Sequence, residues 1–173
     1  MNIKNTLTQY GLIARILHWL SVVLLLSLVV MASQFEEMLV SPEKLELTTL
    51  HSSVGLVFFL VILTRLTWRN INHNPIKSYR IKGWQKLTAI SLHRSIYIVL
   101  IAQCVAGIVI LITMEKPFYI FNLFELMPFI ERNDSLNNCA LSTHHLISIM
   151  IYPMLAIHIS AAIYHQIFGL IDD

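Results

Sequence analysis

Leu141 to Phe168 reads LSTHHLISIMIYPMLAIHISAAIYHQIF, an apolar run long enough to cross a bilayer that nevertheless carries four histidines, His144, His145, His158 and His165. On a helix turning about 100° per residue, the fourteen positions from His144 to His158 make four turns less about 40°, so both fall on one face. His165 joins them there. The same step is roughly 21 Å along the axis, which sets one imidazole near each membrane surface. A single ligand cannot use both. His145 points about 140° away from His158 and is set aside as a partner. Pro153, between the two levels, takes a donor from the Ile149 carbonyl and can kink the helix.

Composition fixes the surroundings. Of 173 residues, 56% are hydrophobic and only 13% charged, and the mean hydropathy is +0.67. That excludes an ordinary soluble domain and predicts an all-α, integral membrane four-helix bundle, one domain over residues 1–173. The apolar runs place the spans at about 11–34, 47–68, 87–113 and 141–168. A cleaved signal peptide with a site near Ala32 is the rival for the first run. Its removal would discard His18, so the run is read as a retained span. Cys104 and Cys139 form no motif and no evident disulfide.

Charge orients the bundle. Arg65, Arg69, Lys77, Arg80, Lys82, Lys86 and Arg94 lie in a stretch without a single acidic residue. The excess of basic residues puts the loop after span two in the cytoplasm, with both termini beside it. Such a loop signals topology and anionic-lipid contact, and nucleic-acid binding is not read into it. The outer segments are acidic: Glu36, Glu37, Glu43 and Glu46 in one, Glu115, Glu125, Glu131 and Asp134 in the other. Pro117 to Ile130 is apolar but too short to span, and is expected to lie on the outer surface as a cap.

The histidines then sort by depth. His18 lies near the inner end of span one and His158 near the inner end of span four, while His51 and His144 both lie near outer ends. A lone histidine in an apolar helix is commonly a hydrogen-bonded packing residue. Two levels, each with one imidazole from each of two helices, are instead what a pair of bis-histidine haems requires. No Cys-x-x-Cys-His attachment motif is present, so the haems would be non-covalent and b-type. Gly55 follows His51 by one turn, where a missing side chain lets a flat macrocycle approach, although close helix packing explains a lone glycine equally well. Ala161 and Ala162 flank His158 and leave similar room. A haem-free histidine-lined metal carrier would need an intramembrane Asp or Glu, and none is seen.

His18-Trp19, His51-x3-Gly55, His93-x3-Tyr97 with Gly107, and His144-x13-His158 followed by Ala161, Ala162 and His165 together resemble the bacterial cytochrome b561 family. The resemblance covers nearly the whole chain and is most specific in the last helix. It implies a multi-pass dihaem cytochrome of the bacterial inner membrane that passes electrons between a periplasmic reactant and the quinone pool. It also implies that His18, His51, His144 and His158 are the iron ligands, and that His93 and His165 belong to the quinone end. Two activities follow from it. One is superoxide oxidation to dioxygen with ubiquinone as acceptor. The other is service as a haem b membrane subunit that takes electrons from a partner dehydrogenase.

Two axial imidazoles leave no open position on iron, so outer-sphere electron relay is favoured over oxygen activation. Quinone reduction needs protons as well, and histidine is the side chain suited to supply them near neutral pH.

Overall fold

The computed structural model describes residues 2–72, 75, 83–114, 117–128 and 130–168, without the side chains of residues 35, 36, 85, 86 and 165. Lys77, Arg80 and Lys82 of the basic loop, the Lys86 side chain and His73 therefore lie outside the described residues.

Four helices form: α1 Leu12–Glu37, α2 Pro42–Ile71, α3 Gly83–Ile112 and α4 Asp134–Ile167. All four are long and apolar enough to cross a membrane. They run past the apolar runs because polar residues cap them. Ser41 accepts the Lys44 N–H at 3.2 Å and Pro42 occupies the first turn, so α2 starts in a segment that hydropathy alone reads as a link. Asn133 likewise accepts the Leu136 N–H at 2.9 Å, and Asp134 sits where the helix dipole favours a negative charge. α4 continues through Pro153 without a break.

Close packing runs α1 to α2, α2 to α3 and α3 to α4, whereas α4 does not close against α1 or α2. The bundle is thus two tight helix pairs joined along one seam. The buried apolar cluster is Leu28, Met31, Phe58, Ile62, Leu100 and Ile151, and Phe58, Ile62, Leu100 and Ile151 fall between the two histidine levels by their places along α2, α3 and α4. Most other large apolar side chains, such as Val23, Leu60, Ile98 and Leu146, face outward. In lipid that exposure carries no hydrophobic cost, and helix association rests on van der Waals fit and buried polar contacts.

One element departs from an all-α chain. Phe118–Ile120 and Phe124–Leu126 pair antiparallel as a short hairpin. At its turn Phe121 and Asn122 have φ of 51° and 56°, and Leu123 N–H donates to Ile120 O at 2.9 Å. Two left-handed central residues make a tight hairpin turn that matches strand twist, at a steric cost for Phe121. The Phe121 N–H donates to Ser53 Oγ at 2.8 Å, which pins the hairpin onto α2 two residues after His51. The expected cap is therefore a hairpin docked on α2 beside His51.

Candidate haem sites between the helix pairs

At the outer level, His51 of α2 and His144 of α4 face one another across the gap that the helices leave open. Their ring centres are 6.4 Å apart and their planes differ by 75°. Two imidazoles on opposite sides of one metal, each bonded at about 2.0 Å, would have ring centres about 6 Å apart. His144 Nδ1 lies 3.1 Å from Gln103 O, so it carries the proton and donates it there, leaving Nε2 with a free lone pair. His145, the next residue, is exposed on the other side of the helix.

The glycines beside this level differ in meaning. A Cβ on Gly107 would come within 3.3 Å of His144 Cε1, so α3 must present a bare backbone to let the ring lie where it does. A Cβ on Gly55 would meet only Leu28 Cδ2, at 3.9 Å. Tight helix contact does not explain Gly55. The space beside it, one turn from His51, is room that a flat group can use.

The inner level gathers more. His158 of α4 meets His93 of α3 edge-on, with ring centres 5.1 Å apart and planes at 85°. That is shorter than a metal between them would allow, so this is a direct ring contact. His93 Nδ1 donates to Ala89 O at 2.6 Å. His18 of α1 joins this level through Arg65, whose guanidinium bonds it and lies over the Tyr97 ring one turn from His93. Arg65 Nη2 donates to His18 Nδ1 at 2.9 Å and Arg65 Nη1 to Ser21 Oγ at 3.0 Å. The sequence counts Arg65 in the basic stretch at the end of span two, and the structure turns its side chain into the bundle. A charged residue within an apolar span is the signal that marks it. The backbone of His165 belongs to α4, and its side chain lies outside the described residues.

Among the described residues, no three His, Cys, Asp or Glu side chains converge to hold a bare metal ion. Paired imidazoles instead suit a metal that brings its own equatorial donors, as iron in a porphyrin does. Residues 9–171 match the family described as prokaryotic cytochrome b561. The chain belongs to that family. It is similar to cytochrome b561 homolog 2 of Escherichia coli (strain K12), 27% identical over 135 residues that cover 73% of this chain and 68% of the relative. As a member of the cytochrome b561 family it is a multi-pass bacterial membrane protein for haem b electron transfer. The gap between the helix pairs, the spacing of His51 and His144 and the room at Gly55 fit that cofactor.

At the end of the bundle that carries the hairpin, a cleft of about 800 Å³ is lined by Glu37, Glu43 and Glu46 together with Phe121 and Asn122. Its wall includes Thr49 and Leu50, which precede His51 in α2.

Proposed function

We propose that the protein holds two b-type haems in series, one per leaflet, and carries electrons from a periplasmic reactant to quinone, with both termini in the cytoplasm. The facing pair His51 and His144 is the observation that carries this reading. Its spacing suits two bonds to one iron, and a second histidine level lies further inward along the same helix. When bound, haem supplies a one-electron couple with no open coordination position.

The side chains divide the remaining work. His51 and His144 hold the outer group and His18 and His158 the inner one, with the Gln103 carbonyl orienting the His144 ring. The layer of Phe58, Ile62 and Ile151 keeps water out of the path between them. Quinone takes up two electrons and two protons to become quinol. In this reading His93 and His165 serve the quinone end, where an imidazole that has taken up a proton donates to a carbonyl oxygen and passes that proton on.

The acidic cleft favours one donor over another. An anion such as superoxide is repelled by Glu37, Glu43 and Glu46, whereas a protein with a basic docking face is drawn to them. Receipt of electrons from a partner dehydrogenase therefore fits this surface better than superoxide oxidation. The test is to reduce the purified protein and mix it with a soluble ubiquinone analogue, following haem absorbance. Reoxidation with quinol formation is expected. Reduced haem that persists beside excess quinone would rule out the quinone end.

A further inference from the structure

The inner half of α2 carries two cations with no carboxylate paired to them among the described residues. Arg65 and Arg69 are one turn apart, and their guanidinium carbons lie 5.5 Å and 5.6 Å from the centre of the same Tyr97 ring on α3. Trp68 stands between them in sequence, and its buried Nε1 donor has no partner among the described residues. Positions i, i+3 and i+4 share one helix face. No Asp or Glu occurs anywhere from residue 47 to residue 114. Arg132 pairs with Asp134 far off in sequence, at the start of α4.

Two half-buried guanidiniums without a counter-charge, and a buried indole N–H without an acceptor, are expensive. The arrangement calls for an anion with about two charges and planar oxygens, which guanidinium forks pair with best. We propose that Arg65, Arg69 and Trp68, backed by Tyr97, form a cradle for the two propionate carboxylates of the inner haem.

The cradle rests on the inner site proposed above, and one bond there supports it. Arg65 now donates to His18 Nδ1. A neutral imidazole that binds iron through Nε2 keeps its proton on Nδ1, and then two donors would face each other. Ligation by His18 therefore releases the Arg65 guanidinium to another acceptor. A carboxylate on the bound cofactor is that acceptor.

Purified holoprotein, its haem labelled with ¹³C at the propionate carboxyl carbons, is to be compared with Arg69→Leu and Arg69→Lys by redox-difference infrared spectroscopy and potentiometry. Because Arg65 also touches His18, Arg69 carries the test. In Arg69→Leu the ¹³C-sensitive carboxylate bands of one haem should shift and one of the two reduction potentials should fall, since a cation that favours the electron is gone. The other haem should be unchanged, and Arg69→Lys should restore part of both effects. Two haems per chain with unmoved carboxylate bands would overturn the cradle alone. A band change indifferent to ¹³C but dependent on added anionic lipid would assign the site to a lipid phosphate instead. Fewer than two haems per wild-type chain would remove the inner site and the cradle with it.

Discussion

The imidazoles of His51 and His144 stand nearly perpendicular, 75° between planes, at 6.4 Å from centre to centre. Axial rings crossed at such an angle give low-spin ferric haem a highly anisotropic electron paramagnetic resonance signal, unlike the rhombic signal of parallel rings. The oxidised protein should show that signal, and His51→Ala and His144→Ala should each abolish it. A rhombic spectrum alone would mean that the rings turn when the cofactor binds.

Gly55 tests whether the space beside His51 is the cofactor's. A Cβ there finds room, so Gly55→Ala should be tolerated. Gly55→Leu should fill the space and expel the outer haem while the inner one remains. Full haem content in Gly55→Leu, measured by reduced-minus-oxidised absorbance, would return that glycine to helix packing.

Much of this architecture is legible in the sequence because lipid imposes two simple rules, length and periodicity. They deliver the four helices and the common face of His144 and His158 from Leu141 to Phe168 alone. The hairpin escapes both rules. Its turn uses Phe121 and Asn122 in place of the glycine that signals such turns, and its docking depends on Ser53, 68 residues before Phe121. The contact of His93 with His158 was equally hidden. Histidines on different helices sort by depth from sequence, but which rings touch depends on how α3 packs against α4. Arg65 falls inside span two but is counted with the basic stretch, and its bonds to His18 and Ser21 show it turned inward.

Ser53 should matter to stability more than to haem binding. Its hydroxyl donates to Thr49 O at 2.7 Å and accepts the Phe121 N–H, and the residue is 1% exposed. Ser53→Ala leaves that N–H without its acceptor, at a cost of about 1–3 kcal/mol. A lowered melting temperature with two haems retained is expected. Unaltered melting would show that the hairpin needs no anchor.

His93 donates its Nδ1 proton to Ala89 O, so its Nε2 holds a lone pair that must take up a proton before it can donate to a quinone oxygen. His93→Ala should keep both haems and slow quinol formation by about 10²-fold, the low end of what a positioned acid or base contributes. An unchanged rate would move the quinone site away from the His93 side of the inner level.

The acidic cleft makes a kinetic prediction. Replacing Glu37, Glu43 and Glu46 together by Gln should slow reduction by cationic donors and speed reduction by anionic ones, with both effects fading as salt rises. Stopped-flow rates with one reductant of each charge would measure it. Equal rates before and after substitution would show that donors do not approach through the cleft.

The central claim, two haems at two levels, is tested most directly by counting haem per polypeptide in the wild type, His144→Ala and His158→Ala. A pyridine haemochrome assay on purified, folded protein suffices. About two, one and one are expected, with the haem lost from His144→Ala being the one whose anisotropic signal depends on His51. One haem in the wild type, or two retained after either substitution, would contradict it.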